Sequence, residues 1–207
     1  MKGKLNVNIR LGCRITDYDK DDATGMVKRV QINGGEQVDC DAVVLCLGPQ
    51  VRGHVRDHFG TIFPLLTGQG YSVNLPDHDP KLDAGVNYKL HDRGCTYTQL
   101  RPGKHRLCGL MDIGCHEQSF LDPRRVNYLR SIYETDFNIQ SAEEDWRDLW
   151  SGLRPLSPDD LPIVGPMAYY PNVVINAGHN GNGIPLGISS GKIVQELLDA
   201  NETKYFS

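Results

Sequence analysis

The 207-residue sequence lacks several features that would assign it to a class at once. It has no Cys-x-x-Cys pair and no clustered set of histidines and cysteines that would complete a ligand shell, so no metal is expected. Six scattered cysteines (Cys13, Cys40, Cys46, Cys95, Cys108, Cys115) read as ordinary reduced or buried thiols, not as a disulfide framework. No apolar run approaches the roughly 20 residues that a spanning helix requires; the longest covers positions 42–47. A basic block is absent too: 22 basic residues face 26 acidic ones for a net charge of -4, which argues against a nucleic-acid partner. Positions 1–10 alternate apolar and polar residues (Leu5, Val7, Ile9) and contain no secretory core, so a soluble, cytoplasmic chain is expected. Any targeting segment is then absent or was lost with a missing beginning.

What is present organises into segments. Positions 5–15, 26–32 and 37–47 read as the strands of a meander, with a polar turn over 17–25 and a Gly34-Gly35 turn. The run Val43, Val44, Leu45, Cys46, Leu47, ended by Gly48 and Pro49, suggests a strand buried on both faces of a parallel sheet. From 62 to about 110, short strands alternate with turns at 68–70, at Pro76-Asp77, at 92–94 and at 101–103, as in an antiparallel sheet. Asp122 can cap a helix that begins at Pro123, whose apolar face Val126, Leu129, Ile132 and Tyr133 should pack on that sheet. Near the end, a strand over 172–176, a glycine-rich loop and a helix over 188–198 follow one another, the order of a cofactor-cradling unit.

Two segments carry the chemistry. The loop Gly178, His179, Asn180, Gly181, Asn182, Gly183 delivers the chain into a helix whose unpaired N–H groups attract negative charge. A glycine-rich turn is by itself equally compatible with plain turn chemistry. Arg154 stands in the stretch WSGLRPLSPDDLPIVG (150–165), stiffened by Pro155. Such an arginine is either a structural ion-pair partner or a carboxylate clamp, and spacing alone favours the structural role.

The combined pattern over 150–198 resembles the C-terminal signature of the D-amino-acid oxidase superfamily of FAD-dependent oxidoreductases. D-amino-acid dehydrogenase and glycine oxidase are the nearest by pattern. The strand 41–48, the stretch FPLLTGQGYSVNLP (63–76) and HNGNGI (179–184) agree in order and spacing. The resemblance implies FAD-dependent oxidative deamination of a small amino acid, a D-amino acid favoured, or of a secondary amine, by hydride transfer to flavin. It makes Arg154 the catalytic and substrate-binding clamp for the carboxylate, which reverses the reading from spacing, and it offers Tyr88 or Tyr97 as further substrate contacts, although a packed strand tyrosine is the simpler reading of each. It also assigns Gly48, Gly178, His179, Asn180, Gly181, Asn182, Gly183 and Ile184 to the flavin. Some relatives attach flavin through a cysteine near the GLRP segment, and here no cysteine follows Cys115, so FAD is expected to be noncovalent.

The implied fold class is α/β with α+β character: part of a split, doubly wound FAD-binding domain (1–50 and 147–207) plus an antiparallel-sheet substrate domain (51–146). The family's opening GxGxxG unit has no counterpart, since GHNGNG does not fit it. Two expectations follow: a flavoenzyme half completed by an upstream segment or another chain, or a truncated non-catalytic relative serving as a binding or interaction module without FAD.

Overall fold

The computed structural model describes residues 7–75, 85, 87–114, 119–138, 140 and 146–205; Leu5, the Pro76-Asp77 turn and Cys115 lie outside these. Strands β1 (Ile15–Lys20), β2 (Val27–Ile32) and β3 (Glu36–Asp39) form the expected antiparallel meander, but its first strand is displaced. Val7, Ile9 and Leu11 are exposed and lie outside any strand, whereas residues 17–20, expected as turn, belong to β1. The polar spelling DYD misled because the strand is half-buried: Tyr18 enters the core while Asp19 faces water. The true turn begins at Asp21, whose carboxylate accepts from the backbone N–H groups of Ala23 and Thr24.

The expected strand over 37–47 is two strands in two sheets. After β3, the chain enters β4 (Val43–Leu45), which pairs in parallel with β11 (Tyr170–Ala177); β11 in turn pairs antiparallel with β10 (Ile163–Met167). β4 is a short edge strand, so Val43 and Leu45 are buried and Val44 is 38% exposed, correcting the expectation of burial on both faces. The two sheets are stapled by Asn172, 2% exposed. Its Oδ1 accepts from Val27 N at 2.9 Å and its Nδ2 donates to the carbonyls of Val27 and Asp41 at 2.7 and 2.8 Å. Helix α1 (Val51–Phe59) was not anticipated, although Val51, Val55 and Phe59 recur every fourth residue and are the ones it buries. They join Phe63 and Leu65 in a core shared with both three-stranded sheets.

The antiparallel sheet has five strands in the order β6 (Tyr88–Leu90), β7 (Cys95–Arg101), β8 (Lys104–Gly114), β5 (Leu66–Asn74), β9 (Arg147–Leu156). Helix α2 (Pro123–Asp136) starts where expected, with Asp122 accepting from Arg124 N at 2.9 Å. Its Leu129, Ile132 and Tyr133 cover Tyr71, Val73, Tyr97 and Leu107 in a second core, while Val126 is only half-buried. Helix α3 (Gly183–Tyr205) begins five residues before the expected start and packs on β10 and β11. Among the described residues, no helix is long and apolar enough to cross a membrane. By core membership α1 belongs with the first core, and by hydrogen bonding β9 belongs with the five-stranded sheet. The chain therefore passes from the first core into the five-stranded sheet near residue 65 and leaves that sheet near residue 156.

Candidate functional site

Strands β4 and β11 run parallel and in register, Leu45 opposite Ile175, so their carboxyl ends open side by side. Three residues beyond Leu45 and three beyond Ile175 lie glycines with positive φ: Gly48 at 56° and Gly178 at 74°. In open α/β sheets the crevice outside such strand ends is where ligands bind. The structure thus brings together Gly48 and the 178–183 loop, which are far apart in sequence. β9 passes beside the turn that starts at Gly48, and this adds the end of the Arg154 strand to the same region.

Asn180 ties the loop to that strand. Its backbone N–H donates to Pro155 O at 3.1 Å, its Oδ1 accepts from Ser157 N at 2.9 Å, and its Nδ2 donates to Ser157 Oγ at 3.0 Å. His179 is engaged structurally, Nε2 lying 3.0 Å from Oγ of Ser190, which is buried. The carbonyl of Asn182 accepts from Leu186 N as the first bond of α3, and the N–H groups of Gly183 and Ile184 open that helix toward solvent. Ile184 and Ile188 are 94% and 88% exposed. A Cβ at Gly181 would meet nothing within 4 Å, one at Gly183 would meet only His179 Cβ, and neither glycine has positive φ. Neither packing nor dihedral requires glycine at these two positions, and the bare backbone there leaves room for close approach from outside the described chain. The residues present therefore fit a planar or anionic group seated against this loop.

The five-stranded sheet has two unlike faces. On β5, Gln69, Tyr71 and Val73 face α2, while Gly68, Gly70, Ser72 and Asn74 face the other way. That second face is a floor of small residues on which larger side chains lie. A Cβ on Gly70 would collide with the Arg154 guanidinium, one on Gly68 with Met111 Sδ and Leu156, and one on Gly152 with the Trp150 ring. Arg154 is half-buried, and among the described residues it has neither a hydrogen-bond partner nor an ion-pair partner. Burial pushes the Cys108 thiol up, and the charges of Arg154 and Arg106 each pull it back, so both guanidiniums act on the same sulfur.

The tyrosines are not brought to Arg154. Tyr97 is fully buried on the α2 face, stacked with Phe137 and His105, and Tyr88 lies against it at 5.9 Å between ring centroids. Their place is the core and rim of the opposite face, so both fit the packed-strand reading and neither reaches Arg154. Sequence reasoning overlooked the floor and its walls, Met111 and Trp150. The signal for the floor is the alternation Gly68, Gly70, Ser72, small residues at period two in a strand.

Comparisons with known proteins agree with this geometry. The family model described as FAD dependent oxidoreductase (DAO) matches residues 3–197. A D-amino acid dehydrogenase of Xanthobacter autotrophicus is 28% identical over 175 residues, which are 84% of this chain and 40% of that protein. Among solved structures, glycine oxidase from Geobacillus kaustophilus superposes with a TM-score of 0.67 at 22% identity, covering 91% of this chain and 48% of that one. L-proline dehydrogenase from P. horikoshii gives 0.70 at 18%, covering 91% and 50%. These likenesses establish a mixed α/β fold of that type, and the chain spans about 40% of the length of the curated relative named above. With the match extending over nearly its whole length, the chain belongs to the DAO family of FAD dependent oxidoreductases.

Proposed function

We propose that this chain carries the flavin-facing and substrate-clamping half of an enzyme that oxidatively deaminates a small amino acid, a D-amino acid in preference to a secondary amine. The observation that carries the reading is Arg154: a half-buried guanidinium over a glycine, with no anionic partner among the described residues. A cation left so costs desolvation free energy, and a substrate carboxylate, bound through two parallel N–H···O bonds, offsets it. The names of the three relatives each specify a substrate that bears both an amine and a carboxylate, which supports the same reading.

In this reading the flavin-facing unit comprises residues up to about 65 and those after 156, and the substrate unit the five-stranded sheet with α2. FAD, held noncovalently, would supply acceptance of a hydride from the substrate α-carbon. Residues of this chain do the rest. Arg154 fixes the carboxylate and hence the direction of the α-carbon. The open N–H groups of Gly183 and Ile184 and the positive end of α3 favour negative charge beside the loop. Trp150 and Met111 wall the floor and shed water from it. No protein nucleophile is required.

The test is titration of the chain with D-alanine, followed by calorimetry, for the native protein and for Arg154→Ala. Removal of the clamp is expected to cost about 2 to 5 kcal/mol of carboxylate binding. Identical isotherms for the two proteins would reject Arg154 as the clamp.

A further inference from the structure

The clamp is not the only cation on the small-residue floor. Arg106 of β8 stands opposite Asn74, at the far end of the row Gly70, Ser72, Asn74, and its Nε donates to Asn74 Oδ1 at 3.1 Å. Asn74 also donates from Nδ2 to Asp148 at 2.8 Å. The amide thus fixes the Arg106 guanidinium through one nitrogen and holds the nearby acid at one remove. Among the described residues Arg106 has no ion-pair partner, and its charge, like that of Arg154, acts on Cys108 between them.

Spacing limits what can lie between the two cations. The Arg154 guanidinium sits over Gly70 and that of Arg106 is bonded to Asn74, four residues along one strand, or about 14 Å. Between them the floor is Ser72, flanked by Cys108 and Trp150, whose register partners it is. A bidentate pair holds its two carbon centres about 4 Å apart, and the carboxylates of an extended five-carbon diacid lie about 5 Å apart. Together these distances span about 13 Å. A monocarboxylic amino acid of similar size reaches one cation only.

We infer that Arg106 is a second, specificity-determining anion contact, and that the site takes amino acids with an acidic side chain of aspartate or glutamate length. This deepens the proposed function and rests on its carboxylate clamp. Arg154 takes the α-carboxylate; Arg106, oriented by Asn74, takes the distal one. The apolar wall of Trp150 lies along the connecting methylenes.

The experiment is calorimetric titration of the whole chain with D-glutamate and with D-norvaline, which matches its carbon count without the second charge. Native protein, Arg106→Leu, Arg106→Lys and Arg154→Ala are compared. The expected result is about a tenfold preference for D-glutamate, abolished in Arg106→Leu, partly restored in Arg106→Lys, with D-norvaline binding equal in all three. Loss of both ligands in Arg154→Ala would accompany it. Equal affinity of the native protein for the two ligands, or a preference that survives in Arg106→Leu, overturns the inference while Arg154-dependent binding leaves the clamp standing. Binding of neither ligand by the native protein overturns both. Circular dichroism of Arg106→Lys separates loss of contact from loss of fold.

Discussion

Gly70→Ala should leave the fold intact and damage the clamp. Gly70 sits mid-strand in β5 with ordinary φ, so alanine is tolerated by the backbone and narrows the unfolded ensemble, worth about 0.4 to 1 kcal/mol in favour of the folded state. The three atoms nearest the added methyl all belong to the guanidinium of Arg154, the far end of a flexible side chain, which can swing aside at little cost. It must then leave the position in which it is held over the floor. Loss of one partner of a desolvated charge pair costs about 2 to 5 kcal/mol of carboxylate binding, roughly 100-fold near the lower end of that range. The assay pairs differential scanning fluorimetry with calorimetric titration of D-alanine. The expected outcome is an unchanged or slightly raised Tm with binding lost by about two orders of magnitude. Unchanged binding would refute the seat of the clamp, and a Tm lowered by several degrees would refute the view that only a side-chain end is in the way.

Asn172→Ala should be costly everywhere in the molecule, because it strands the N–H and C=O of Val27 and the C=O of Asp41 between two sheets. A loss of about 3 kcal/mol is expected, seen by calorimetry as a Tm lower by about 6 to 12 °C for a chain of this size. His54 gives a pH signature. Burial, then the neighbouring His58, hold its pKa below the ordinary imidazole value, and its Nε2 meets Tyr18 OH at 2.6 Å. The folded state therefore binds the proton less readily than the unfolded one, so stability is full above the unfolded value near pH 6.5 and falls as pH drops below it. Tm measured at descending pH should decline less steeply for His54→Gln than for the native protein; parallel curves would exclude His54 as the source. Gly181→Val should keep its Tm, as its side chain would meet open space, yet lower FAD retention on gel filtration.

How far the sequence foretold this arrangement depended on how much each element relies on its own residues. α2 was legible because cap, first-turn proline and apolar face are all local. The loop and strand around 172–183 were legible for the same reason, whereas Arg154 drew notice only through resemblance to a family pattern. β1 was misread because its acidic residues on the wet face look like turn chemistry, and β4 because Val44 is apolar yet lies on the open side of an edge strand. The pairing of β9 with β5, which carries Arg154 over Gly70, joins residues some eighty positions apart and leaves no local trace. For the same reason neither tyrosine could be placed relative to the clamp until the two faces of the sheet were distinguished: Tyr97 and Arg154 both lie in strands of one sheet, but on opposite sides of it.

If the 178–183 loop, the Gly48 turn and the end of β9 form a flavin seat, the chain should hold FAD by itself. The deciding measurement is the visible absorption spectrum of the purified chain after incubation with FAD and removal of free ligand. The account predicts retained flavin absorbance with a protein-perturbed band shape, diminished in Gly181→Val. A colourless native protein would contradict it.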